Sequence, residues 1–133
     1  MRRRSLLDSF AVLAWVQDEP GAGRVETLLV EAQRRKAPLL LNVVNLGEVY
    51  YRLARHQGHP FAREIIRQIE VLPLELYPCD PGLALEAARI KADFPMAYAD
   101  AFAVATAMRE SAVLVTGDPE LRQVEHLVTI DWL

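Results

Sequence analysis

Three short runs of this chain, Ser5-Leu6-Leu7, Pro38-Leu39-Leu40-Leu41-Asn42 and Val113-Leu114-Val115-Thr116, are apolar at almost every position. A strand with one solvated face alternates apolar and polar residues, whereas a strand buried on both faces reads as a continuous apolar run. Such runs, separated by helical stretches, call for a sheet covered on both sides, because parallel strands are joined by crossovers that are usually helices. The expected fold is therefore α/β, a three-layer α/β/α sandwich around a mostly parallel sheet. A length of 133 residues with 52% hydrophobic content suffices for one core, and residues 1–133 are expected to form a single domain.

The remaining signals set the order of elements. Helices are expected over 10–17 and, beyond the break at Glu19-Pro20-Gly21, where Val25, Leu28, Leu29 and Ala32 recur at helical intervals. Helices over 43–56 and 62–70 are joined by a connector at 57–60. Val71-Leu72-Pro73-Leu74 reads as a strand whose proline places it at an edge or a strand end. Asp80-Pro81 pairs a capping acid with a first-turn proline and opens a helix running to about residue 91. A helix across 98–108 follows, then the strand 113–116, a turn at Gly117-Asp118-Pro119 and a closing strand at 127–129.

Composition narrows the function. Lys and Arg total 15 against 18 Asp and Glu, a formal net charge of -3, so any polyanion must be drawn by a local basic patch. Cys79 is the only cysteine, which excludes an intramolecular disulfide and a multi-cysteine zinc site and suits a reducing cytoplasm. Arg2, Arg3 and Arg4 are expected to form a frayed basic end, and the apolar run behind them is broken by Asp8 too early for a signal segment. No apolar run has the length of a membrane span. No P-loop or GxGxxG implies a nucleotide cofactor.

Asp100 is the telling acid. It is the single carboxylate in Tyr98-Ala99-Asp100-Ala101-Phe102-Ala103-Val104-Ala105-Thr106-Ala107-Met108, with no basic residue beside it. Burying a bare carboxylate is costly, so a bound cation or a wet, charged cleft is expected there. Asp8 and Asp118 follow strand ends, and Glu48 and Asp100 lie near helix starts. In parallel α/β sheets ligands sit outside the carboxyl ends of the strands, where these four can converge. Each also has a plain structural reading: Asp8 and Ser9 as caps, Glu48 as partner of Asn45 in a capping box, Asp118 as the cap before Pro119, and Asp100 as a first-turn acid on the helix dipole. Capping and cation binding are compatible, and hard ions such as Mg²⁺ and Mn²⁺ favour carboxylate oxygens.

Four blocks in this order and spacing carry a resemblance that spans almost the whole chain: Leu6-Leu7-Asp8-Ser9, Asn45-Leu46-Gly47-Glu48-Val49-Tyr50-Tyr51, Tyr98-Ala99-Asp100-Ala101-Phe102-Ala103 and Leu114-Val115-Thr116-Gly117-Asp118-Pro119. The chain resembles PIN-domain ribonucleases of the kind found as toxins in VapBC toxin-antitoxin pairs. The resemblance implies that Asp8, Glu48, Asp100 and Asp118 hold Mg²⁺ or Mn²⁺ for catalysis, with Ser9 and Thr116 supporting the site. It also implies an RNA substrate, a homodimer, and an antitoxin protein that offers an arginine to the carboxylates. Trp15, Leu28 and Leu29 are apolar residues available to a dimer face.

Two other readings stand beside this one. A catalytically inactive PIN-like RNA- or protein-binding module would keep the same acids, and cleavage in Mn²⁺ separates the two. Phosphoryl transfer on an aspartate is disfavoured, because Asp8-Ser9-Phe10 lacks a second aspartate two residues on. His56 and His59 are expected to be solvated loop histidines rather than a zinc pair. Asp93 is expected to be exposed, and Arg52, Arg55, Arg63 and Arg67 read as a solvated helix face or, alternatively, as the lining of an RNA path.

Overall fold

The computed structural model describes residues 3–133. Five parallel strands, β1 (Ser5–Leu7), β2 (Leu39–Asn42), β3 (Leu74–Tyr77), β4 (Val113–Thr116) and β5 (Ile130–Trp132), form one sheet in the order β3-β2-β1-β4-β5. The helices are α1 (Ser9–Val16), α2 (Ala22–Arg35), α3 (Val43–Gln57), α4 (His59–Glu70), α5 (Pro81–Asp93) and α6 (Tyr98–Glu110), with a 3-10 turn at Pro119–Val124. Alternation along the central strands divides the core. Leu6, Leu40 and Leu114 face α5 and α6, while Leu7, Leu41 and Val115 face α1 to α4. Each of the fully buried leucines contributes about 1.5–3 kcal/mol of hydrophobic stabilisation, and the three-layer α/β/α arrangement follows.

The central strands lie where their apolar runs place them, and both edge strands lie later than expected. The segment 71–73 turns, with the Leu72 amide donating to the Ile69 carbonyl at 3.1 Å, and β3 begins only at Leu74. Likewise 127–129 is not a strand and β5 begins at Ile130. An edge strand is covered less completely, so its sequence alternates as in Leu-Glu-Leu-Tyr and Ile-Asp-Trp instead of running apolar. The connector at 57–60 shrinks to Gly58, whose φ of +88° lets the chain turn between α3 and α4.

The basic end is not frayed where it is described. Arg3 donates to the Ser111 carbonyl and to Thr129 Oγ1, both at 2.9 Å, and Arg4 donates to the Pro38 carbonyl at 3.0 Å. Arg2 lies outside the described residues. Leu29 is buried, and Trp15 and Leu28 are half-buried against the same core. Among the described residues no helix is long and apolar enough to cross a membrane.

Candidate active site

The strand order reverses between β1 and β4, the point at which a doubly wound sheet opens a crevice at its carboxyl edge. Asp8 and Asp118 leave the sheet there, from neighbouring strands. Asp8 caps α1 by accepting the Ala11 amide at 2.9 Å, and Asp118 caps the 3-10 turn by accepting the Glu120 amide at 2.9 Å. Thr116 Oγ1 accepts the Asp118 amide at 3.1 Å and so fixes the turn that aims this carboxylate. Asn45 ties three helices together, donating to Ser9 Oγ at 3.0 Å and to the Ala99 carbonyl at 3.1 Å.

These supports bring Glu48, Asp100 and Asp118 to the wall of a cleft of about 670 Å³. Glu120 lines it too, and single carboxylate oxygens of Asp100, Asp118 and Glu120 lie within 4.8 Å of one another. Glu120 is a residue that sequence reasoning missed. It stands two positions beyond the capping acid, across Pro119, where the tight turn carries its side chain back to the cleft. Asp8 is fully buried and does not form the cleft wall, although it lies within electrostatic reach of Asp118 and Glu48. The exposed ring of Phe10 lies on the same wall against Gly117, where a Cβ would overlap it.

The electrostatics are those of a site short of positive charge. Burial raises the Asp8 pKa from its ordinary value of 3.8 to about 7; the Thr116 hydroxyl and the Ala11 amide pull it down, and Asp118 and Glu48 push it up. Asp100 is likewise raised from 3.8 to about 7, first by burial and then by the charges of Asp118, Asp8, Glu48 and Glu120. Asp8 Oδ2 and Asn45 Oδ1 are buried without a hydrogen-bond partner among the described residues. Buried acceptors without a hydrogen-bond partner are rare in folded proteins. Among the described residues, the cation paired with these acids is Arg52, 3.4 Å from Glu48. A set of hard oxygen donors with an orphaned buried acceptor behind it fits a divalent ion of the Mg²⁺ or Mn²⁺ type.

Several expectations are revised. Glu48 does not close a capping box with Asn45, because α3 starts earlier and Asn42 is its cap, accepting the Val44 amide at 2.7 Å. Asn45 and Glu48 are thereby both inside the helix and free to face the site. The histidines are not loop residues: His56 is in α3, and His59 opens α4 with Nδ1 2.7 Å from the Tyr50 hydroxyl. Asp93 is exposed, as expected, and is not on the cleft wall. The arginine series divides, with Arg52 on the cleft wall and Arg67 paired to Glu64 at 3.3 Å.

A parallel α/β/α domain with an acid cluster at the strand ends is what the geometry defines. The PIN domain family model matches residues 5–127, and the chain belongs to the PIN-domain family. Its fold is similar to that of a chain in the DNA-bound VapBC of Salmonella typhimurium, with a TM-score of 0.74 at 17% identity over 98% of each chain. It is similar also to VapBC2 of Rickettsia felis bound to a promoter fragment, with a TM-score of 0.73 at 12% identity over 96% of each chain. VapC20 of Mycobacterium tuberculosis, a toxin that cleaves the sarcin-ricin loop, aligns with a TM-score of 0.69 at 14% identity over 90% of this chain and 94% of that one. No curated protein matches the chain.

Proposed function

We propose that this chain, as one catalytic domain, is a metal-dependent endoribonuclease that hydrolyses RNA phosphodiester bonds and serves as the toxin of a toxin-antitoxin pair in the cytoplasm. The observation that carries the reading is the acid cluster at the β1/β4 switch point, with two carboxyl groups raised to about 7 and Asp8 Oδ2 buried without a hydrogen-bond partner among the described residues. Asp8, Glu48, Asp100 and Asp118 are the proposed ligands and catalytic acids, and Glu120 joins them. A divalent ion bound there would acidify a water and neutralise charge developing on the phosphate. The chain's own part is to hold the acids. Thr116 sets the Asp118 turn, Asn45 and Ser9 lock α1 to α3 and α6, and Arg52 steadies Glu48.

Ser9 does not suit the role of nucleophile, since it is buried and accepts a hydrogen bond from Asn45, so water is left to attack. The VapBC likeness supports an antitoxin partner; we propose that it places an arginine among these carboxylates, and that the chain forms a homodimer. The purified protein is expected to cleave RNA with Mg²⁺ or Mn²⁺ and to stop in excess chelator. Undiminished cleavage in chelator would overturn the metal assignment, and absence of cleavage in Mn²⁺ would leave an inactive module. Asp100→Asn should weaken antitoxin binding, and sedimentation at micromolar concentration reads the dimer.

A further inference from the structure

We propose that the face of α3 from Glu48 to Arg55, walled by α1, is a groove for single-stranded nucleic acid, with Arg52 and Arg55 meeting phosphates and Tyr51 a base. The proposal rests on the nuclease reading and names how its substrate reaches the acids. Positions 48, 51, 52 and 55 stand at i, i+3, i+4 and i+7, one stripe of a helix covering about 10 Å of its axis. The cleft that holds the carboxylates shares Leu13, Gln17 and Arg52 with a second depression lined by Tyr51, Arg55 and His56. That depression in turn shares Tyr51 and Arg55 with a third, which holds Tyr50 and His59. The surface is thus continuous from the acid cluster outward.

The chemistry changes sign along it. Arg4 is paired with Glu75, Arg24 with Asp131, Arg34 and Arg35 with Glu31, Arg67 with Glu64 and Arg109 with Asp80, and Arg52 meets Glu48 through Nε. Arg55 makes no ion pair among the described residues, and its guanidinium instead lies 5.2 Å over the Tyr51 ring centroid. Tyr51 is 44% exposed, so its ring is accessible on this surface. An exposed ring beside an unpaired guanidinium presents two planar stacking surfaces and one phosphate-binding fork, which is what an unstacked strand requires. An acidic protein also needs its positive charge placed locally to hold a polyanion, and this stripe supplies it next to the acids.

Fluorescence anisotropy with short labelled RNA and DNA, single-stranded and duplex, in chelator, tests the groove apart from catalysis. Wild-type protein should bind single strands more tightly than duplexes. Tyr51→Ala should weaken this by about fivefold or more, the lower end of what loss of one stacked base gives. Arg55→Ala should weaken it and reduce the slope of log Kd on log salt by about 0.7, one phosphate contact on a single strand. Arg63→Ala, on α4 and outside these clefts, should bind as wild type. Loss of binding in the Tyr51 and Arg55 variants without any metal-dependent cleavage by wild type would uphold the groove and sink the nuclease reading. Normal metal-dependent cleavage with unchanged binding in both variants would overturn the groove and leave that reading standing. Absence of single-strand binding by wild type, or a preference for duplex, also overturns it.

Discussion

Asp8 and Asp80 do the same local job in opposite surroundings. Each caps a helix by accepting the amide three residues on through Oδ1, at 2.9 Å for Asp8 and 2.7 Å for Asp80. The second oxygen separates them. Oδ2 of Asp80 is half-exposed and taken by Arg109 at 2.9 Å, which together with the Leu83 amide holds its pKa below the ordinary range. Oδ2 of Asp8 is buried, has no hydrogen-bond partner among the described residues, and sits among other carboxylates that, after burial, help drive its pKa to about 7. Capping and one ion pair therefore account for both oxygens of Asp80, and capping accounts for only one of Asp8. What a cap leaves unexplained is where function is to be sought.

The widest separation should appear in activity. Asp8→Asn and Asp100→Asn keep shape and remove charge, and each should lower RNA cleavage by at least about a hundredfold, the scale of losing one charge-stabilising group. Asp80→Asn should cleave as wild type. Next in size is the pH dependence of the metal-free protein. Because Asp8 and Asp100 bind protons more tightly folded than unfolded, their contribution is fully present below their ordinary value of 3.8 and is lost as pH rises through about 7. Denaturation in chelator should show stability falling across that window, and added Mg²⁺ or Mn²⁺ should restore it by binding only the folded form.

A smaller effect sharpens the contrast. Asp100→Asn should raise the stability of the metal-free protein by about 1 kcal/mol, the scale of relieved site strain, while abolishing most of the metal-induced shift. A lowered melting temperature with the metal shift intact would make Asp100 a structural residue. The smallest change is expected for Asp80→Asn, because asparagine caps as well as aspartate and an exposed ion pair adds little. Its melting temperature should stay close to wild type by calorimetry.

The legible parts of this molecule are those where burial writes itself into the sequence. The apolar runs at β1, β2 and β4 fix the layers, and the isolated carboxylate in α6 marks the site. Both edge strands escape, since a strand with a wetter face has no continuous run to betray it. Glu120 escapes because a proline-initiated turn reads as local capping, and only the folded chain shows its oxygen within 4.8 Å of Asp100 and Asp118. The distinction between Asp8 and Asp80 is likewise illegible locally, because Arg109 lies 29 residues from Asp80. The same holds for Arg55 and Arg67, which share helical spacing and part company only when one meets Tyr51 and the other Glu64.

The acids at the strand ends are proposed to form a cation site that stays partly protonated until it is filled. Titration calorimetry of Mn²⁺ into the metal-free protein, repeated in buffers of different ionisation enthalpy, measures it directly. At about pH 6 binding should release protons from Asp8 and Asp100, and at about pH 8.5 that release should vanish, since a ligand must be deprotonated to bind. Asp100→Asn and Asp118→Asn should bind Mn²⁺ far more weakly. Binding without proton release at the lower pH, or equal affinity in those variants, would contradict the account.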